Sequence, residues 1–130
     1  MTYLTALTLF GLITLVYLLI EVGFTYAHFG KSYGFSSNRP ADATKSALGL
    51  RINRAFQNQI ESAAYIVPVL VAAHLSGLQS TPAEIAAAVL VIGRAAFGPL
   101  YFTGIPFIRI PAWGMGWIST AVIAVAILQN

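Results

Sequence analysis

Four apolar stretches, each long enough to cross a bilayer and parted by short polar breaks, leave this chain few ways to fold. They run from about Tyr3 to His28, Leu50 to His74, Pro82 to Phe102 and Ile110 to Leu128. A helix needs about 20 apolar residues to cross ~30 Å of hydrocarbon, and lipid tolerates only segments that satisfy their own backbone hydrogen bonds. Only 8% of the residues are charged and mean hydropathy is +0.77. The pattern predicts an all-α, integral membrane four-helix bundle in one domain. The longest break, roughly Gly30 to Ser46, is too short to hold a separate soluble unit.

The breaks carry turn-forming residues: Gly34 to Pro40 after the first stretch, Ser76-Gly77 and Ser80-Thr81-Pro82 after the second, Gly104-Ile105-Pro106 after the third. Pro82 and Pro111 suit first-turn positions, with Thr81 as the N-cap. Pro68 and Pro99 fall inside spans, where each removes one backbone donor and favours a kink. The first stretch lacks the basic start, short apolar core and small-residue cleavage site of a signal peptide, so it is expected to stay as a membrane helix.

Lys31, Arg39, Lys45 and Arg51 lie in or beside the first connection and Arg109 beside the third, whereas the second has no Lys or Arg. The positive-inside rule then places the first and third connections in the cytoplasm and both termini outside. An inner-membrane location follows as an expectation, with Trp113 and Trp117 in the cytoplasmic aromatic belt.

The net charge of +3 rests on too few basic residues, scattered among apolar runs, to build a phosphate-tracking face, which argues against a nucleic-acid partner. Having no cysteine, the chain has no disulfide, no thiolate nucleophile and no thiolate metal site. Any sulfur chemistry must come from a ligand. His28 and His74 fall at opposite ends of the membrane, so no shared metal is expected.

Within this apolar background, Arg51, Arg54, Asn58, Glu61 and Tyr65 lie at helical spacing on the second span. At ~100° per residue they occupy an arc of roughly 80°, which makes a continuous polar stripe. A central charge costs about 2.5–3.5 kcal/mol on insertion scales, so the stripe should face protein or a wet pocket. Depth brings further charges to it. Glu61 and Arg94 each fall about 15 Å from the cytoplasmic ends of their helices and Glu21 about 10 Å, at 1.5 Å per residue.

Two readings of this layer stay open. In one, Glu21 or Glu61 pairs with Arg94 and cements the bundle. In the other, Arg51, Arg54, Asn58 and Tyr65 keep donors free for an anionic ligand, a task suited to the planar guanidinium. Arg94 and Tyr101 share a face of the third helix, and Arg109 opens the fourth at the depth of Tyr101. A phenol and a guanidinium there suit a developing thiolate or oxyanion. Alternatively, Tyr101 is an interface tyrosine and Arg109 a snorkelling topology residue.

The run Arg51-Ile-Asn-Arg54-Ala55-Phe-Gln57-Asn58-Gln-Ile-Glu61, followed by Pro68, resembles the second-helix signature of the MAPEG family, membrane-associated proteins in eicosanoid and glutathione metabolism. Arg94, Tyr101 and Arg109 match as well, so the resemblance covers nearly the whole chain. It implies a homotrimer with glutathione bound between neighbouring subunits near the cytoplasmic face. By the same resemblance Arg54, Asn58, Glu61 and Tyr101 hold the tripeptide, Arg109 activates its thiol and Arg51 is a further basic position. Arg94 and Tyr65 complete the expected binding set. Three positions depart from the family pattern: Gln57 replaces a second basic residue, Phe97 a histidine and Ile110 a serine. The implied activity is a glutathione-dependent transferase or peroxidase acting on a lipophilic electrophile or a lipid hydroperoxide, a small molecule that enters from the surrounding membrane lipids. The alternative is a non-catalytic trimer that binds a lipid or other anionic ligand.

Overall fold

The structure, a computed structural model, describes residues 1–38 and 45–130. Arg39, counted above among the topology residues, lies outside them. Five helices form, α1 Tyr3–Phe29, α2 Lys31–Phe35, α3 Ala47–Leu75, α4 Thr81–Phe102 and α5 Ile110–Leu128, with no strand among the described residues. The fold is all-α. Helices α1, α4 and α5 are long and apolar enough to cross a membrane. The polar first half of α3 keeps that 29-residue helix outside this group by composition, although its length suffices.

Local chemistry sets the helix ends. Ser46 caps α3, its hydroxyl accepting from the Gly49 N–H at 3.1 Å, so the helix begins three residues before the predicted Leu50. Ser80, one residue before the expected Thr81, caps α4. Helix α2 was not foreseen in the polar connection. It forms because aromatic contacts fold the chain back on the end of α1, Phe29 on Tyr33 at 4.6 Å and Tyr26 on Phe35 at 5.4 Å between centroids.

Helix α1 packs on α3 and α4, while α5 packs on α4 and α3 from the other side. Buried residues of α3 recur as Ile52, Ala55, Gln59, Ser62, Ile66, Leu70 and Ala73, the three-and-four spacing of a helix seam. Small residues bring α4 and α5 together. A side chain at Gly116 would stand 3.0 Å from Arg94 Cδ. Outward faces are apolar: Leu12, Leu15, Val16 and Leu19 on α1, Ile85 and Ile92 on α4, and Ile118, Val122 and Val125 on α5 are exposed. So wide an apolar surface suits a lipid solvent and would be a liability in water.

Pro99 lies inside α4, where it has no N–H to offer the Ala95 carbonyl, and a residue of α1 braces the turn beside it. The Tyr17 hydroxyl donates to the Arg94 carbonyl at 2.7 Å and accepts from the Gly98 N–H, the pair that an unbroken helix would join directly. Gly98 admits the ring, since a Cβ there would come within 2.5 Å of Tyr17 Cζ. Tyr17→Phe is expected to strand these two groups and lower stability by about 1–3 kcal/mol. Gly98→Ala should do at least as much by forcing Tyr17 out of its place. Thermal unfolding of both variants in detergent checks the pair.

Candidate functional site

At one end of the molecule the start of α3, the end of α4 and the start of α5 enclose a cleft of ≈ 320 Å³. Arg54, Asn58, Phe97, Tyr101, Arg109, Ile110 and Trp113 line it. Arg54 and Asn58 are one turn apart on α3, as are Phe97 and Tyr101 on α4 and Arg109 and Trp113 at the head of α5. Each helix thus contributes one i, i+4 pair. The cleft lies within the usual size range of small-molecule sites.

The lining holds two guanidinium groups, an amide and a phenol, and no carboxylate. Such a donor set suits an anion. The Arg109 guanidinium rests over the Tyr101 ring, 4.3 Å from its centroid. Tyr101 in turn leans on Phe97 at 5.5 Å, and Phe97 lies under the Arg94 guanidinium at 4.9 Å. Cation–π contact leaves the guanidinium N–H edges available while restricting where the charge sits. Arg109 is therefore held in place without an opposing carboxylate.

Of the eight residues expected from sequence, Arg54, Asn58, Tyr101 and Arg109 meet at this cleft. The other four are elsewhere. Arg51 donates from Nε to the Phe102 carbonyl at 3.0 Å, satisfying one of the free carbonyls in the last turn of α4 and tying that end to α3. Glu61 and Tyr65 continue the polar stripe beyond the cleft and are exposed on the single chain. Arg94 is fully buried behind the cleft wall.

Of the two readings of the charged layer, the pairing of Arg94 with Glu21 or Glu61 does not form. Arg94 donates from Nε and Nη2 to Gln59 Oε1 at 2.9 and 2.7 Å, and from Nη1 and Nη2 to Asn58 Oδ1 at 3.1 Å each. Glu21 instead accepts from Asn53 Nδ2 at 3.1 Å and pairs with Lys45 at 3.3 Å, the one ion pair among the described residues. Depth along the helices is a poor guide to contact because rotation about each axis decides which residues face one another. Glu21 faces the start of α3, not α4.

Phe97 and Ile110, two of the three departures from the family pattern, lie in the cleft wall and make it more apolar, while Gln57 is exposed and off it. Two participants were missed. Trp113, expected in the aromatic belt, lines the cleft because its position one turn after Arg109 puts it on the same face of α5. Gln59 is the other, and its signal in the sequence is that it interrupts the apolar seam of α3, where a buried amide requires partners.

The sequence profile of the MAPEG family matches residues 3–129. This chain belongs to the MAPEG family. No curated protein and no solved structure matches it. MAPEG proteins are membrane proteins, generally glutathione-related transferases or peroxidases or proteins of lipid metabolism. That family character accords with the apolar outer faces of α1, α4 and α5 and with a cation-lined cleft in this MAPEG chain.

Proposed function

We propose that this protein binds glutathione in the cleft of Arg54, Asn58, Tyr101 and Arg109 and uses it on a lipophilic electrophile or a lipid hydroperoxide. The observation that carries the reading is the convergence of these four donors from three helices on a lining without a carboxylate. Glutathione carries two carboxylates and a thiol, the groups that such donors favour. Arg54 and Asn58 hold the tripeptide. Arg109, steadied on the Tyr101 ring, favours thiolate over thiol by placing positive charge beside it, and the Tyr101 hydroxyl supports that charge. In conjugation, the sulfur forms a bond to an electrophilic carbon, the displaced group leaves with the electron pair, and the thiol proton passes to solvent.

Assembly belongs to the same proposal. Glu61 and Tyr65 are exposed on the single chain, on a helix whose length suits a fourth membrane span. An unpaired carboxylate facing hydrocarbon is costly, so a neighbouring subunit covers this stripe and helps close the glutathione site. The functional unit is a homotrimer of four-span subunits in the inner membrane, with the cleft toward the cytoplasm and the termini outside. The lipophilic substrate reaches the cleft from the bilayer, along its apolar side at Phe97, Ile110 and Trp113.

Calorimetry of the purified protein with glutathione tests the reading. Saturable binding is expected, weakened by Arg54→Ala by about 1.5–3 kcal/mol, the worth of a hydrogen bond to a charged group. Absence of binding by the intact, folded protein would refute it and favour a non-catalytic protein that binds a lipid or another anion.

A further inference from the structure

A chain of hydrogen bonds fixes the polarity of one amide at the cleft. It begins 44 residues before Asn58, on α1, where Thr14 Oγ1 donates to the Phe10 carbonyl at 2.8 Å. That hydroxyl has spent its proton, so it meets Gln59 only as an acceptor, and Gln59 Nε2 donates to it at 2.8 Å. With its nitrogen committed to Thr14, Gln59 turns Oε1 to Arg94, which donates from Nε and Nη2. A guanidinium has donors and no acceptor, so whatever faces Arg94 on its other side must also be an oxygen. There Nη1 and Nη2 donate to Asn58 Oδ1 at 3.1 Å each.

The amide nitrogen of Asn58 is then turned away from Arg94 in a residue that borders the cleft, and it has no protein partner among the described residues. The reverse orientation would set an NH₂ group against a guanidinium. Arg94 itself does not reach the cleft: it is fully buried, lies over Phe97 and packs beside Gly116.

We infer that Arg94 is a positioning residue which, with Gln59 and Thr14 behind it, holds Asn58 as a pure hydrogen-bond donor toward the cleft and so selects a carboxylate over a carboxamide at that point. A neutral side chain thereby shares in anion selection. The choice of glutathione as probe rests on the reading of the cleft proposed above, whereas the orientation of the amide does not.

Asn58→Asp tests both halves in the full-length protein. The new carboxylate meets Arg94, so the melting temperature in detergent should be no lower than that of the parent protein. Its second oxygen faces the cleft, so glutathione affinity should fall by about tenfold or more, and one of the two glutathione monoamides should now bind better than glutathione itself. Arg94→Met frees the Asn58 amide to turn over, so discrimination between glutathione and that monoamide should shrink toward one. A merely structural role for Arg94 would leave this ratio unchanged. If the parent protein does not bind glutathione, the ligand reading fails, and amide exchange measured by NMR still decides the orientation. Slow exchange of the Gln59 NH₂ with fast exchange of the Asn58 NH₂ supports the inference. It is overturned if the two NH₂ groups are equally protected, if Asn58→Asp melts as low as Asn58→Leu, or if Asn58→Asp binds glutathione and its monoamides in the parent order. Should Arg94→Met fail to fold, the Asn58→Asp measurements decide alone.

Discussion

Arg109→Ala is expected to lower glutathione-dependent turnover by about 10²–10³-fold, the usual loss when one preorganised donor to a developing anion is removed, while the protein stays folded. The two halves of this expectation have separate physical causes. Arg109 stands at the head of α5, where its side chain rests on the Tyr101 ring and makes no ion pair among the described residues. Its loss should therefore cost the fold about 1 kcal/mol or less. On the proposed reading its charge is also the one beside the thiol, because Arg54, the other guanidinium of the cleft, enters from α3. Arg109→Lys separates charge from shape. Lysine keeps the cation but lacks the planar fork that stacks on Tyr101 while donating at its edge, so activity should fall between that of the parent and the alanine variant. Steady-state assays of the purified variants, with size-exclusion profiles to show intact assembly, make the measurement. A fully active Arg109→Ala protein would remove this residue from the chemistry.

Arg94→Met should have the largest effect on stability, about 2–4 kcal/mol, because it strands the Gln59 oxygen that the guanidinium now satisfies twice over. Two opposing terms decide the sign. Removing a buried cation relieves desolvation, which favours the methionine; leaving Gln59 Oε1 unpaired in a fully buried position costs more, because the amide cannot turn over without losing Thr14. The comparison that exposes this balance is the double variant. Adding Gln59→Leu to Arg94→Met removes the stranded amide along with its partner, so the double variant should be more stable than Arg94→Met alone. Unfolding curves for the two variants decide it, and a double variant no better than the single would show that the loss comes from packing. The Asn58 amide behaves differently because it can turn toward the cleft.

Much of this architecture was legible because lipid simplifies the problem. Long apolar runs predicted α1, α4 and α5 nearly to the residue, and the polar stripe on α3 marked the helix whose first half lines the cleft. Spacing also brought Arg54 and Asn58 to one face, and the placement of Tyr101 and Arg109 at the same end followed from alternating helix direction. What sequence did not show was rotation of one helix against another. Glu21 and Arg94 share a depth range yet face different neighbours, and formal charge drew attention to an ion pair where two neutral amides serve instead. Gln59 carries no formal charge to draw attention to it, although its place in the apolar seam of α3 marks it as buried. Tyr17 gives no sign of its role in the sequence, since the turn it bonds to lies on a different helix.

The most direct test of the account is an experimental structure of the protein with S-hexylglutathione bound. The peptide should lie in the cleft with carboxylates at Arg54 and the Asn58 amide nitrogen, the sulfur beside Arg109 and the hexyl chain along the apolar wall. A ligand seated elsewhere, or a cleft without peptide at saturating concentration, would contradict it.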